Sequence, residues 1–72
     1  MPETPFALRG EHITLDALLK ATGLAGSGGA AKLLIAEGRV RVNGEAESRR
    51  GRKLRAGDVV VLEDTRVHIH AG

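Results

Sequence analysis

The feature that most constrains the fold is an alternating segment, Arg-Val-Arg-Val at residues 39–42, which runs directly into the dipeptide Asn43-Gly44. Asn-Gly next to alternating apolar residues is the strongest short-range signal for a β-hairpin, because both residues tolerate the positive φ angles of the turn. Alternation places Val40 and Val42 on the buried face and the two arginines on the solvent face. The chain is therefore expected to contain a sheet with basic side chains on its exposed side.

Two helices are expected before this hairpin. Leucines spaced along one helical face predict a first helix at about residues 14–22, which Gly23 can end because glycine adopts the left-handed conformation without strain. Ser27 suits the N-cap of a second helix that ends at Gly38. The connection between the helices is short, so they should pack against each other as an αα-hairpin.

Further strands are expected on both sides of these elements. Residues 1–5 form a polar, proline-containing end that we expect to be mobile, and the apolar residues between 6 and 13 suit a short edge strand with a bend. The apolar run at residues 59–62 predicts a central strand covered on both faces, and the alternation at residues 66–70 predicts a last, half-exposed strand. The expected fold class is α+β: a two-helix hairpin followed by a β-hairpin and short antiparallel strands.

The length and composition predict a small globular domain. With 72 residues, of which 42% are hydrophobic, residues 1–72 are expected to fold as a single unit around an aliphatic core. The absence of cysteine excludes disulfides and thiolate metal sites and makes a reducing cytoplasm the expected location. No apolar run suits a signal peptide or a membrane span, and nothing indicates a cofactor.

Charge is unevenly distributed along the chain. Residues 32–55 contain eight basic and three acidic residues, whereas the rest of the chain contains three basic and six acidic residues. A local positive excess attracts polyanions, so nucleic acid is the first partner to consider. The only aromatic residue is Phe6. Because single-strand binders stack bases on aromatic rings, we expect recognition through phosphates, sugar hydroxyls and shape instead.

The basic side chains fall into three groups that the predicted fold can bring onto one surface: the second helix, the first hairpin strand, and the segment that follows the hairpin. They are Lys32, Arg39, Arg41, Arg49, Arg50, Arg52, Lys53 and Arg55. Gly28 and Gly29 lie at the start of the second helix, where they lower helix stability. Either a phosphate approaches the free N–H groups of the helix start, or the glycines permit a tight turn packed against the first helix.

Three stretches carry a resemblance to a known family: Ile-Ala-Glu-Gly at residues 35–38, Val-Arg-Val-Asn-Gly at residues 40–44 and Ala-Gly-Asp-Val at residues 56–59. After two helices, and in this order, they resemble the S-four RNA-binding domain, named after ribosomal small-subunit protein four, and within it the stand-alone bacterial YbcJ-like members. The resemblance covers about residues 13–62. It implies an α+β fold, the alpha-L motif, in which two helices and a hairpin present one RNA-binding face.

By position, the resemblance also implies a set of RNA-binding residues on the second helix and the hairpin. They are Ser27, Gly28, Lys32, Arg39, Arg41 and Asn43. Many relatives have arginine where this chain has Gly28, so one phosphate ligand is missing here, and the basic segment at residues 49–53 can compensate. Asn43 has a second explanation, since the turn needs its positive φ. The expected partner is structured RNA, ribosomal or tRNA-like, bound by a monomer.

Other functions have less support in the sequence. There is no cysteine nucleophile, no Ser-His pair at a motif and no paired carboxylates on a predicted cleft wall, so we expect no enzymatic activity. His12, His68 and His70 could meet as metal ligands if the terminal strands are neighbours, but half-exposed strand positions explain them better, and we expect no metal site. A β-grasp sulfur carrier would need a terminal Gly-Gly, which is absent. The main alternative is an adaptor that binds an acidic protein partner.

Overall fold

Two helices and seven strands follow one another along residues 3–72, the part of the chain that this computed structural model describes. In chain order they are β1 (Glu3–Leu8), β2 (Ile13–Thr14), α1 (Leu15–Ala21), α2 (Gly28–Ala36), β3 (Val40–Val42), β4 (Glu45–Ala46), β5 (Lys53–Leu54), β6 (Val59–Leu62) and β7 (Thr65–Ala71). The α+β class and the order of a helix pair followed by a hairpin are therefore confirmed.

Five strands form one sheet in the order β1-β7-β6-β3-β4, and β2 pairs with β5 in a separate two-stranded sheet. β6 is the central strand of the larger sheet, as the sequence predicts. The pairs β2–β5, β3–β4, β3–β6 and β6–β7 are antiparallel. Asn43 and Gly44 have φ angles of 52° and 87°, so the turn between β3 and β4 has the conformation that the Asn-Gly dipeptide predicts.

The N-terminal strand differs from the expectation. Residues 3–5 are part of β1, so the prediction of a mobile end was wrong for them, while Met1 and Pro2 lie outside the described residues. β1 pairs with β7 in parallel, not antiparallel. Parallel neighbours need a long crossover connection, and both helices lie in the segment that makes it. Ile13 belongs to β2 and pairs with β5, because the bend after β1 takes the chain out of the larger sheet.

The central strand is buried on one face only. Val60 and Leu62 are buried, whereas Val59 and Val61 are half-buried, so the prediction that β6 is covered on both faces was wrong. The reason is that the buried side chains of the helices and of the sheet form one core, which lies against a single face of the sheet. On the other face, Val61 lies opposite the charged Arg41.

The core consists of aliphatic side chains from both helices and from the inner face of the sheet. Its buried members are Leu8, Leu15, Leu18, Leu19, Ala25, Ala31, Ile35, Val40, Val42, Leu54, Val60, Leu62, Val67 and Ile69. Burying one leucine side chain contributes on the order of 1.5–3 kcal/mol, so the three leucines of α1 attach that helix firmly. α2 buries only Ala31 and Ile35, which leaves most of its surface facing solvent.

The limits of the helices follow the signals in the sequence. Ser27 is the N-cap of α2, and its Oγ accepts a hydrogen bond of 3.1 Å from the N–H of Ala30. Gly23 and Gly38, which follow the two helices, have φ angles of 79° and 72°, the left-handed conformation expected after a helix end. Within residues 3–72, no helix is both long and apolar enough to cross a membrane.

Candidate nucleic-acid interface

The solvent side of α2 carries the first group of expected site residues. Gly28, Gly29 and Lys32 are all exposed. A Cβ atom added to Gly28 would lie 3.9 Å from the Cδ of Lys20, and one added to Gly29 would lie 3.9 Å from the Oγ of Ser27, both ordinary contacts. Neither glycine has a positive φ angle. A side chain would therefore fit at both positions, so packing against α1 does not by itself require glycine there.

Two arginines lie on the exposed side of the hairpin, where the alternation predicts them. Arg39 forms ion pairs with Glu37, at 3.6 Å, and with Glu63. Within residues 3–72, the guanidinium of Arg41 makes only a long contact of 3.5 Å to the carbonyl oxygen of Gly44. Because exposed ion pairs contribute only about 0–1 kcal/mol, both arginines can accept an anion, and Arg41 gives up no carboxylate partner in doing so.

Asn43 makes its contacts inside the protein. Its Oδ1 accepts a hydrogen bond of 2.9 Å from the N–H of Val59, and its Nδ2 donates one of 3.1 Å to Oδ1 of Asp58. The other oxygen of Asp58 accepts a hydrogen bond of 2.8 Å from the N–H of Arg55. Asn43 therefore joins the hairpin to the turn that precedes β6, and this supports its structural explanation.

The carboxylate of Asp58 stays ionised in this turn. Burial raises its pKa, but the hydrogen bonds from the backbone of Arg55 and the amide of Asn43, with the charges of Arg52 and Arg55, outweigh burial and lower the pKa below its ordinary value. The turn therefore keeps its two hydrogen bonds at neutral pH, and the position of Arg55 beside the hairpin is maintained.

Glu47 is the one charged residue that is buried within residues 3–72. Its carboxylate accepts hydrogen bonds from the backbone N–H, Nε and Nη2 of Arg49, at 3.1, 3.2 and 3.3 Å, and from Nη1 of Arg52 at 2.9 Å. The side-chain bonds from Arg49 and then from Arg52 lower the pKa of Glu47 to about 2, so it is ionised at neutral pH. We call this group, Glu47 with Arg49 and Arg52, the Glu47 anchor.

Glu47 was not among the site residues expected from the sequence, although the hairpin register could have identified it. A two-residue turn at residues 43–44 places Glu47 opposite Val40, and the N–H of Glu47 does donate to the carbonyl of Val40 at 3.0 Å. Val40 faces the core. A glutamate opposite a core residue needs partners for its charge, because an unpaired buried charge is costly. The arginines two and five residues later supply them.

The basic loop, residues 48–53, is also held by its backbone. The N–H groups of Leu15 and Asp16 donate to the carbonyl oxygens of Arg52 and Arg50, at 2.9 and 3.1 Å. The first N–H groups of a helix have no partner within it, and the N-cap residue of α1 makes no side-chain cap. The basic loop therefore replaces the side-chain cap of α1, and its path is set by the end of that helix.

The eight cations of residues 32–55 divide into paired and unpaired groups. Arg39, Arg49 and Arg52 form ion pairs, although 76% of the Arg49 side chain remains exposed, against 31% for Arg52. The other five form no ion pair within the described part of the chain. They are Lys32, Arg41, Arg50, Lys53 and Arg55.

Contacts join the elements that carry these cations. α2 lies beside α1 where the side chain of Lys20 approaches Gly28. The start of α1 is bonded to the basic loop, the basic loop follows β4, and the hairpin is joined through Asn43 to the turn after β5. The sequence-predicted site residues therefore lie on contiguous elements.

The three histidines are used separately. Nε2 of His68 lies 3.1 Å from Oε1 of Glu3, and Nδ1 of His70 lies 3.0 Å from the carbonyl oxygen of Ala71. His12 instead lines a shallow groove near Phe6, at the end of β1. Among residues 3–72, no three His, Cys, Asp or Glu side chains are placed to hold a metal ion.

Comparisons with known proteins agree with this architecture. The family model of the S4 domain matches residues 6–70. The chain is 48% identical over 59 residues to the "Probable ribosome maturation protein RlbA" of Bacillus subtilis, which covers 82% of this chain and 83% of that protein. It is 42% identical over 60 residues to YbcJ of Escherichia coli, which covers 83% of this chain and 86% of YbcJ.

The fold comparison gives the same result. The solution structure of YbcJ from Escherichia coli, described as revealing an alpha-L motif involved in RNA-binding, matches with a TM-score of 0.69 and 37% identity. The match covers 99% of this chain and 89% of YbcJ. The resemblance and the alpha-L fold inferred from the sequence are thereby confirmed, and the chain belongs to the S4 domain family.

Proposed function

We propose that this chain binds structured RNA through a basic face formed by α2, the β3–β4 hairpin and the basic loop, and that it catalyses no reaction. The observation that carries the proposal is that five cations, four on these elements and Arg55 just after the basic loop, form no ion pair within residues 3–72. When such cations neutralise phosphates, the RNA releases its condensed counterions, and this release favours binding. We assign the proposed residues a binding role only, as cations and hydrogen-bond donors for phosphate.

The relatives support RNA as the partner. YbcJ is described as having a motif involved in RNA-binding, and the name of the Bacillus relative connects it with ribosome maturation. A folded RNA, ribosomal or tRNA-like, suits the surface better than an unstructured strand, because the only aromatic side chain, Phe6, packs against the core and offers no stacking platform among the cations. We propose that a monomer carries out this binding in the cytoplasm.

The contacts divide the site residues into two roles. Direct contact with phosphates is assigned to the groups that are exposed and unpaired: Gly28, Lys32, Arg41, Arg50, Lys53 and Arg55. The others hold the site in shape or exchange an ion pair for a phosphate: Ser27, Arg39, Asn43, Arg49 and Arg52.

The test is the salt dependence of binding to a hairpin RNA, measured by filter binding. Replacing Arg39 and Arg41 together by Ala should reduce the slope of log affinity against log salt by about one to two units, roughly one for each phosphate that is no longer neutralised. The control Arg9→Ala removes a cation that follows the edge strand β1, outside the proposed face, and should leave the slope unchanged. An unaltered slope in the double variant of Arg39 and Arg41 would show that the hairpin does not belong to the site.

The alternative function, an adaptor for an acidic protein, makes a different prediction. Polyglutamate offered at the same total charge would then displace the hairpin RNA as effectively as a second RNA does. RNA duplexes present phosphates at fixed spacing together with 2′-hydroxyls, so we expect hairpin RNA to compete far better than polyglutamate and better than a DNA hairpin of the same sequence. Equal competition by polyglutamate would favour the adaptor.

A further inference from the structure

The basic loop would not adopt a single conformation by its sequence alone. Residues 48–53 contain four cations and a glycine. Like charges repel and extend such a segment, and glycine adds conformational freedom. Ordering it costs backbone entropy at every residue, so specific contacts have to hold it.

The Glu47 anchor supplies such contacts from the buried side of the loop. One carboxylate bonds the backbone of Arg49 and the side chains of both Arg49 and Arg52. The carbonyl oxygens of Arg50 and Arg52 then meet the N–H groups at the start of α1. With these carbonyls and the Arg52 side chain turned towards the protein, the side chains of Arg50 and Lys53 are exposed on its outer surface.

We infer that Glu47 is a positioning residue for RNA binding, whose buried carboxylate fixes the basic loop so that Arg50 meets a phosphate without further ordering, next to Lys53, which the pairing of β5 with β2 holds. This inference rests on the proposed function. A preformed loop has already lost the conformational entropy that a mobile loop would lose on binding, and that difference appears as affinity. Glu47 thus strengthens the binding of an anion although it carries a negative charge itself.

The direction in which RNA affinity changes when Glu47 loses its charge separates the inference from simple electrostatics. Removing a negative charge beside a cationic face should strengthen binding to RNA if only the total charge matters. Glu45 provides the matched control, because it lies on the same hairpin, is exposed and forms no ion pair within residues 3–72. We expect Glu45→Gln to bind hairpin RNA as tightly as the original chain or slightly more tightly.

Glu47→Gln should do the opposite and bind about tenfold more weakly, which is the scale of one charge-assisted hydrogen bond. Hydrogen exchange should report the cause: the amides of Leu15, Asp16 and Arg49 should exchange faster in Glu47→Gln and be unchanged in Glu45→Gln. Glu47→Asp keeps the charge but shortens the side chain, so it should show the same loosening to a smaller degree if Glu47→Gln does not fold.

Two results would overturn the inference. Tighter RNA binding by Glu47→Gln, equal to that of Glu45→Gln, would show that total charge decides the affinity. Unchanged protection of the three amides in Glu47→Gln, or in Glu47→Asp if only that variant folds, would show that the carboxylate does not hold the loop. Failure of the proposed function looks different: the unaltered chain would not bind hairpin RNA, while hydrogen exchange would still report whether Glu47 orders the loop.

Discussion

Two clusters, each of one glutamate and two basic side chains, lie at opposite edges of the sheet and differ in burial. On β1, Glu3 bonds Arg66 at 3.2 Å and His68 at 3.1 Å. Just after β4, Glu47 bonds the two arginines of its anchor. The side chain of Glu3 is 56% exposed, whereas that of Glu47 is 8% exposed. Similar chemical groups are therefore placed in very different surroundings.

The difference shows why only one cluster can determine a conformation. Water and salt screen an exposed pair, so its partners exchange readily. A carboxylate that is only 8% exposed has little water to replace a missing partner and therefore favours one arrangement of the cations around it. The hydrogen bond from His68 lowers the pKa of Glu3, while the bonds from Arg49 and Arg52 bring that of Glu47 to about 2. The Glu47 anchor, next to the edge strand β4, is therefore the cluster that can hold the basic loop in one conformation.

The largest effect should appear in RNA affinity. Replacing Arg50 and Lys53 together by Ala should weaken binding to a hairpin RNA roughly 10- to 50-fold near 0.1 M salt, because two positioned cations no longer neutralise phosphates. The change Arg9→Ala, just after the edge strand β1, should cost less than about twofold. Fluorescence anisotropy titrations would measure both. An equal weakening in both variants would mean that RNA responds to net charge rather than to a site.

Thermal unfolding should separate the two glutamates. Glu47→Ala leaves two arginines without their carboxylate and removes the support of the basic loop, so the Tm should fall by about 5 °C or more. Glu3→Ala removes an exposed pair and should lower the Tm by less than about 2 °C. Circular dichroism melts at neutral pH would test this. A similar fall in Tm for both variants would show that the buried Glu47 cluster stabilises the fold no more than the exposed Glu3 cluster does.

Acid should destabilise the chain partly through Glu47. Its pKa is about 2 when folded, against an ordinary 4.5, so its contribution is fully present above pH 4.5 and is lost as the pH falls towards 2. Glu47→Gln should be less stable at neutral pH and should lose less stability across that window, because it lacks this titrating group. Some loss remains, because Asp58 and Glu3 also titrate with lowered pKa values. Urea midpoints at a series of pH values would show it. An equally steep decline in the variant would contradict the assignment.

The smallest effect concerns the start of α2, where stability and binding should change in opposite directions. Replacing Gly28 and Gly29 by Ala should raise stability by up to about 1 kcal/mol per site, because alanine favours the helix and meets no clash there. RNA binding should fall a few-fold, because the two methyl groups keep a phosphate away from the helix start. Urea unfolding and anisotropy would be measured on the same variant. Unchanged RNA affinity in this variant would mean that the two glycines have only a structural role.

Local patterns were enough to predict much of the fold. The turn at residues 43–44, the cap at Ser27 and the glycines after both helices were predicted correctly, because each depends on a few neighbouring residues. The strand at residues 59–62 was placed correctly in the sheet but given the wrong burial. Its apolar run does not show which face another layer will cover.

The candidate site was predicted as a set of positions, not as a set of roles. Residue type and spacing identified the basic residues, but by these criteria Arg49 and Arg52 are equivalent to Arg50 and Lys53. The structure separates them, because only the first pair meets the buried carboxylate of Glu47. Charge counting places Glu47 among the acidic residues that weaken a basic surface, whereas in the structure its carboxylate holds Arg49 and Arg52 in place.

By itself, the sequence determined the order of elements, the hairpin and the uneven charge, since these depend on local backbone preferences and on the spacing of side chains along the chain. Only the tertiary structure decided that β1 lies parallel to β7, that the basic loop caps α1, and which cations remain unpaired. The physical reason is that these features arise between segments distant in sequence, or from burial, which turns an ordinary glutamate into one that must keep its partners.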